Sequence, residues 1–170
     1  MTRDFGKLAA VAAGVGLCLL ALAAWRLPTS GSPPGLDLRL IAVPPGELTA
    51  EPIGVLASAR AMQAGEGPVG GGIELTNIAG RRLLVRPVAL ASVKGLARTV
   101  RLRAVAGENP LAAGTLATLD RPHGAGLEIP ARGTRQVEVS AWIPAGESGY
   151  RGRILDVTVE LRSRPLGGGG

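Results

Sequence analysis

The chain has few of the side chains on which most catalytic and metal sites depend. Its 170 residues include one cysteine, Cys18, and one histidine, His123. A single cysteine excludes a disulfide within one chain, and a single histidine leaves any metal site to carboxylates. The HExxH pattern of zinc proteases is also absent from the sequence. We therefore expect a non-enzymatic protein with no cofactor and no bound metal.

Aromatic residues are scarce as well. After residue 25 the sequence contains only Trp142 and Tyr150. A hydrophobic core must therefore be built from aliphatic side chains. The 26 glycines and 13 prolines are scattered without a collagen-like period, which favours turns and short strands over long helices. Basic residues without stacking aromatics are a weak signal for nucleic acid, so we expect no nucleic-acid partner.

The N-terminal residues have the pattern of an export segment. Arg3 and Lys7 precede an uncharged apolar run at residues 8–25. The length of this run lies on the border between a signal peptide and a membrane-spanning helix. Residues 21–23 match the A-x-A pattern that signal peptidase recognises. Residues 1–25 are therefore predicted to be either a cleaved signal peptide or an N-terminal membrane anchor.

This segment sets the expected domain organisation and location. We expect a secreted or cell-surface protein that meets signal peptidase during export and contacts the membrane only through residues 8–25. Residues 26–35 are rich in Pro, Ser and Gly and predict a flexible linker. Residues 165–170 predict a disordered glycine tail. The folded domain is predicted to span residues 36–164.

Alternating apolar and polar residues predict strands throughout this domain. Val100, Leu102 and Ala104, for example, alternate with Arg101 and Arg103. The predicted strands cover residues 36–40, 53–59, 73–76, 83–92, 99–105, 127–129, 135–143 and 153–162. A set of about seven to eight short strands separated by turn signals indicates an all-β fold. We expect an antiparallel β-sandwich of the immunoglobulin-like or jelly-roll type.

One stretch predicts a β-hairpin. In residues 70–91, the turn-forming residues 77–80 separate the extended runs 73–76 and 83–85. A proline cannot donate a hydrogen bond to a neighbouring strand. Pro87 therefore predicts that the second strand of the hairpin lies at an edge or contains a bulge.

A second stretch predicts a short helix. Residues 111–119 follow Asn109, a favourable N-cap, and Pro110, which suits the first helical position. Gly114 and two threonines weaken the helical propensity of this stretch. We expect hardly any helix in the domain apart from this stretch.

The charge of the chain is positive and comes mostly from arginine. Of the 19 basic side chains, all but two are arginines, and the net charge of +6 falls to +5 without residues 1–24. The arginines Arg101, Arg103, Arg151 and Arg153 predict a basic binding face for an anionic polymer or membrane surface. The alternative is that these arginines form the solvated faces of antiparallel strands.

Four segments occur along the chain in a particular order. They are GLDLRL at 35–40, MQAGE at 62–66 followed by IELTN at 73–77, LAAGTLATL at 111–119, and ARGT at 131–134 leading to YRG at 150–152. This order resembles the TasA and camelysin (CalY) family of secreted bacterial proteins, which polymerise into extracellular matrix fibres. The chain departs from the family pattern at Ala64, where a proline is usual, and at Arg151, where a glutamine is usual.

The resemblance implies a structural subunit of a biofilm matrix whose partner is another copy of itself. In that family the N-terminal strand of one subunit is thought to complete the sheet of the next. Leu36, Leu38 and Leu40 are therefore candidate residues of a donor strand, unless this strand simply pairs within its own domain. The alternative function is a membrane-tethered β-sandwich that binds an anionic cell-wall polymer or a partner protein.

Overall fold

The computed structural model describes residues 35–44 and 46–166. The predictions for the export segment, most of the linker and the last four residues lie outside these ranges. The described part contains ten strands and one 3₁₀ turn, Lys94–Leu96. The strands are β1 (Leu36–Val43), β2 (Leu48–Glu51), β3 (Gly54–Met62), β4 (Val69–Asn77), β5 (Leu83–Ala91), β6 (Arg101–Ala106), β7 (Asn109–Thr115), β8 (Leu127–Ile129), β9 (Thr134–Trp142) and β10 (Arg153–Pro165).

The strands form two sheets that pack on one core. Sheet A has the order β3-β1-β10-β5-β8, and sheet B has the order β2-β4-β9-β6-β7. The predicted all-β sandwich is confirmed, with ten strands where seven or eight were expected. The described strand pairs are antiparallel except for β1 and β10, which run parallel.

The core consists of the aliphatic side chains that alternation predicts. Every second residue of β1, and of β10 between Leu155 and Leu161, points inward and is buried, and the inward rows of sheet B pack on them. Complete burial of one such side chain stabilises a fold by about 1.5–3 kcal/mol. The largest fully buried side chains are Leu36, Leu38, Leu40, Ile73, Leu75, Leu83, Leu102, Leu116, Ile129, Ile143, Leu155 and Leu161.

The predicted hairpin at residues 70–91 is wrong. β4 pairs with β2 and β9 in sheet B, whereas β5 pairs with β10 and β8 in sheet A. The turn between β4 and β5 therefore carries the chain from one sheet to the other. β5 is an interior strand of sheet A and not an edge strand. However, β8 pairs only with Leu83–Val85 of β5, and Pro87 lies outside this paired stretch.

Asn77 stabilises the turn that carries the chain from sheet B to sheet A. Its side chain is completely buried, and its Nδ2 lies within 3.2 Å of the carbonyl oxygens of Arg81, Ile129 and Pro130. Its Oδ1 accepts a hydrogen bond of 2.9 Å from the backbone N–H of Ala79. A buried amide is stable only when its polar atoms are paired, and here it joins the crossing to the loop before β9.

The predicted helix at residues 111–119 is also wrong. Its first half belongs to β7, which forms a hairpin with β6 around Gly107, a residue with a φ of 58°. Leu111 and Ala112 are buried in this strand, so packing against the sheet outweighs the helix-capping signal of Asn109. The second half of the segment forms a turn that the hydrogen bond from Thr118 N–H to the carbonyl of Thr115 closes.

The ends of the described domain lie close to the predicted boundaries. β1 starts at Leu36, as alternation predicts. β10 continues through Pro165, and the N–H of Leu166 donates to the carbonyl of Arg82 at 3.1 Å. Ordered structure therefore reaches two residues past the predicted end at residue 164.

Candidate functional site

The predicted donor strand β1 lies in the interior of sheet A, between β3 and β10. Each of its eight residues has a parallel partner on β10, from Leu36 with Arg153 to Val43 with Glu160. The candidate donor residues Leu36, Leu38 and Leu40 are fully buried in the core of their own domain. The single chain thus has the internal pairing that the sequence left as an alternative, and exchange of β1 between copies stays a prediction.

One ion pair joins β1 to β10 on the solvent side of sheet A. The Nε and Nη2 atoms of Arg39 donate to the two carboxylate oxygens of Asp156 at 2.7 and 2.8 Å. Hydrogen bonds from Arg39 hold the pKa of Asp156 below its usual range, and the same pairing raises the pKa of Arg39. Because both side chains are partly exposed, water screens the pair, and the buried leucines contribute more to holding β1.

The chain enters β1 through a tight contact at Gly35. A side chain at this position would overlap the backbone of Ala61, at the end of β3. The carbonyl of Gly35 accepts a hydrogen bond of 2.9 Å from the N–H of Gly152, just before β10. Nearby, the buried Tyr150 accepts a hydrogen bond at its hydroxyl from the N–H of Ala64 at 2.9 Å. These contacts fix the point at which the chain joins sheet A.

β1 leaves sheet A through a short connection. Residues 44–47 lead from β1 to β2, which belongs to sheet B. Gly46 has a φ of 56°, a backbone conformation that suits glycine in a tight turn. Glu47 anchors the end of the connection, since its carbonyl accepts from the N–H of Ile78 and its carboxylate pairs with Arg81 at 2.6 Å.

The structure divides the predicted basic residues between the two sheets. Arg101 and Arg103 lie on the exposed face of β6 in sheet B. Arg153 begins β10 in sheet A, and Arg151 precedes it in the loop. All are exposed, and in the described part of the chain none has a carboxylate within 4.0 Å. They do not share one sheet face.

His123 lies in an exposed loop. Its Nδ1 is 2.9 Å from the carbonyl oxygen of Arg121, and the ring lines an open cavity of about 320 Å³ with Leu111 and Leu119. Across residues 35–44 and 46–166, no group of three or more His, Cys, Asp or Glu side chains is placed to hold a metal ion. The same ranges contain no helix long and apolar enough to span a membrane.

Sequence reasoning missed the pairing of Arg39 with Asp156. Alternation places Arg39 on the polar face of β1, and that part of the pattern is visible in the sequence. The partner lies 117 residues further along the chain, in a strand that a β-sandwich places beside β1 only in some topologies. No local signal in the sequence identifies such a pairing.

Fold and site together define the protein as a two-sheet, all-β sandwich whose first described strand is an interior strand. No protein-family model matches the chain. A comparison with curated proteins likewise gives no significant match. The resemblance to the TasA and camelysin family therefore rests on the four sequence segments alone.

Proposed function

We propose that this chain is a non-enzymatic, secreted or cell-surface structural subunit that assembles into fibres by donating β1 to the next copy. The observation that carries the proposal is the place of β1 in sheet A. It is the first strand of the domain, it fills a slot between β3 and β10, and one short connection joins it to β2. The TasA-like order of the sequence segments supports the same function.

An exchanged β1 makes the same contacts as the original strand. A β1 from a neighbouring copy would restore all eight residue pairs with β10 and place its three leucines in the same core. Donation therefore costs little contact energy, and the protein concentration decides between closed monomers and open chains. Because each donor passes its strand to a different copy, the contact is head-to-tail and the assembly continues as a fibre.

Edge protection is consistent with this mode of assembly. The edge strands are β3 and β8 in sheet A and β2 and β7 in sheet B. Two of these four, β2 and β8, are only four and three residues long, and such short strands offer little template for pairing with another chain. The slot that β1 would vacate has two long walls instead, β3 with nine residues and β10 with thirteen. A strand that enters this slot pairs on both sides, whereas a strand added to an edge pairs on one side only.

A disulfide lock tests this proposal. Arg39 on β1 and Ser58 on β3 are opposite each other in the antiparallel register and both are exposed. In the fragment 27–170, which lacks Cys18, the double variant Arg39→Cys/Ser58→Cys has only the two engineered thiols. Opposed residues of neighbouring antiparallel strands are close enough for a disulfide. Oxidation before assembly should hold β1 in its own domain and abolish filaments in electron micrographs.

The order of oxidation and assembly supplies the contrast. Reduced protein should form filaments, and oxidation after assembly should link neighbouring copies into a covalent ladder on a denaturing gel. The single variant Ser58→Cys is the control, since it cannot form the lock. Filaments from the fully locked chain, or a persistent monomer at every concentration of reduced protein, would contradict strand donation.

A second candidate function is favoured by the charges around Gly35. Arg60 lies next to Ala61, and Arg151 and Arg153 flank Gly152, so three arginines surround the entry of the chain. Within the described residues none of these three forms an ion pair. In the sequence, an apolar N-terminal segment precedes this end of the domain. Cations placed there suit a tethered module that binds an anionic polymer.

Retention on immobilised polyphosphate tests the second candidate. The double variant Arg151→Ala/Arg153→Ala should elute at lower salt than the wild type, because exposed charge contacts are screened by salt. The matched variant Arg101→Ala/Arg103→Ala removes the same charge from sheet B and should elute near the wild type. Equal losses in both variants would mean that only net charge matters.

A further inference from the structure

The outer face of sheet A carries most of the large hydrophobic side chains that are exposed in the described domain. Of the six large hydrophobic side chains exposed in the described residues, four lie on this face. They are Val43 (42% exposed), Val55 (54%), Leu90 (36%) and Ile154 (64%). Clustered apolar side chains on a sheet face mark an interaction surface more often than scattered ones do.

The strand register aligns part of this surface into a continuous row. Ile41 is opposite Val55 on one side and Thr158 on the other, and Thr158 is opposite Leu90. The row Val55–Ile41–Thr158–Leu90, the apolar row, therefore crosses β3, β1, β10 and β5. At strand spacings of about 4.8 Å it is about 14 Å long. Val43, two residues beyond Ile41, widens it.

Charged pairs flank the apolar row on both sides. Two positions before the row in the register, and therefore on the same face, lies the ion pair of Arg39 with Asp156. On the other side lie Glu160 and Arg162, which pair at 2.9 Å within β10. An apolar centre with a charged rim is the usual composition of a protein interface.

We infer that this face binds the same face of a second copy of the chain through a two-fold axis that runs parallel to the strands, between β1 and β10. This axis places Arg39 opposite Asp156 of the second copy, and Val55 opposite its Leu90. Each contact occurs twice, as an isologous interface requires. The sheets would pack about 10 Å apart, as aligned sheets do.

The charges select this axis over the other face-to-face arrangement. A two-fold axis along the apolar row would place Asp156 opposite Glu160 of the second copy, which are like charges. Like charges that face each other across an interface cost affinity and disfavour the wrong arrangement. The axis parallel to the strands instead joins the two Arg39–Asp156 pairs into one network of alternating charge.

This contact goes beyond strand donation and does not depend on it. A donated β1 has the same sequence and register as the original strand, so it presents Arg39 and Ile41 at the same positions of the face. Single subunits and fibre subunits therefore carry the same surface. In a fibre, the contact would join subunits of neighbouring filaments side by side.

The mass of the full chain in a mild nonionic detergent tests the inference, using light scattering that separates protein mass from detergent. The wild type should shift from monomer to dimer as concentration rises. Val55→Lys and Leu90→Lys should each raise the dissociation constant of the dimer at least about tenfold, because each places a charge in the apolar row. Ile53→Lys is the control, since Ile53 lies beside Glu51 and Glu74 of sheet B.

A charge exchange between two variants tests the predicted axis. In the inferred dimer, position 39 of one copy faces position 156 of the other. With Arg39→Asp alone both of these positions are negative, and with Asp156→Arg alone both are positive. Each variant by itself should remain monomeric, and an equimolar mixture should form a heterodimer. Mixing cannot restore the ion pair within either chain, so recovery of the dimer in the mixture identifies the contact between copies.

The outcomes separate this inference from strand donation. A wild-type chain that is monomeric at every concentration, a dimer that both lysine variants retain, or a mixture that remains monomeric would overturn the inference. The disulfide lock leaves Val55 and Leu90 in place but removes Arg39, so the exchange of β1 is tested by comparing the oxidised and reduced forms of the same variant. A dimer without filaments would therefore refute strand donation and support the face contact.

Discussion

β1 and β4 occupy equivalent places in the two sheets but are held in different ways. Each is the second strand from one edge, and each contributes fully buried aliphatic side chains to the core. β4 continues at both ends into chain that packs on the same domain, and Asn77 joins its end to two other segments through backbone carbonyls. β1 is held by its leucines, its two neighbouring strands and one screened ion pair.

The difference is the reason why we propose that β1, and not β4, is exchanged between copies. Moving β4 to another copy would require both of its connections to move, and it would break the buried hydrogen bonds of Asn77. Moving β1 requires one connection within the domain, that between β1 and β2, to open. An equal contribution to the core therefore does not imply equal exchangeability, and the following variants compare the two strands.

The largest effect should come from truncating a buried leucine in each strand. Leu38→Ala in β1 and Leu75→Ala in β4 both remove a fully buried side chain, and each should lower the free energy of unfolding by about 2–5 kcal/mol. Denaturant unfolding measures this loss. At equal folded fraction, Leu38→Ala should also reduce filament yield, since the donated strand carries that leucine, whereas Leu75→Ala should not. Equal filament yields would remove the distinction between the strands.

A smaller effect is expected from the anchor of β4. Asn77→Ala leaves buried carbonyls without a donor, and unpaired buried groups cost about 1–3 kcal/mol. Chemical denaturation should show a clear loss of stability. The neighbouring hydroxyl of Thr76, which pairs with Thr134 at 3.0 Å on the exposed side, provides the control Thr76→Ala. A loss as large for Thr76 as for Asn77 would show that burial of the amide is not what anchors β4.

Alanine substitutions at two glycines of β4 should have still smaller effects on stability, and the two effects should have opposite signs. A Cβ on Gly72 meets no atom within 4 Å, so Gly72→Ala should stabilise the fold by about 0.5–1 kcal/mol. A Cβ on Gly70 would overlap Val139 and Ser140 of β9, so Gly70→Ala should destabilise it. Thermal unfolding of the two variants compares them directly. A gain in both would mean that β9 moves away from β4 without cost.

The smallest effect belongs to the ion pair of β1, and it depends on pH. Because Arg39 lowers the folded-state pKa of Asp156, the pair stabilises the fold above the unfolded-state pKa, about pH 4. This contribution is lost as the pH falls through the lower, folded-state pKa. Asp156→Asn should therefore melt slightly below the wild type at pH 7, and the gap should close under acidic conditions. Glu138→Gln, which removes an exposed carboxylate with no ion pair in the described residues, is the control for charge. A gap that persists at low pH would assign the effect to packing.

The sequence predicted strands better than it predicted their partners. Period-two alternation locates β1, β9 and β10 within a few residues, because burial on one face is a local property of each strand. The hairpin at 70–91 failed because a turn signal states where the chain turns and not which sheet it enters next. β2 was missed since its four residues are too few for a periodic pattern.

The candidate site was predictable to the same extent. The three leucines of β1 are recognisable as a buried row from their spacing alone. The parallel alignment with β10, the pairing of Arg39 with Asp156, and the apolar row depend on contacts between distant parts of the chain. The distribution of the predicted basic residues over two sheets could not be predicted for the same reason, since Arg101 and Arg153 lie far apart in the sequence and belong to different sheets.

The parallel alignment of β1 with β10 has a mechanical consequence. Because these two strands run in the same direction, the chain enters sheet A at one end of the sandwich and β10 finishes at the other. A pulling force between these two points acts along the strands, so the eight residue pairs of the ladder bear the load together in shear. An antiparallel terminal pair would instead be pulled open one hydrogen bond at a time. The strand that we propose is exchanged between copies is thus placed where the ladder resists tension along the strands.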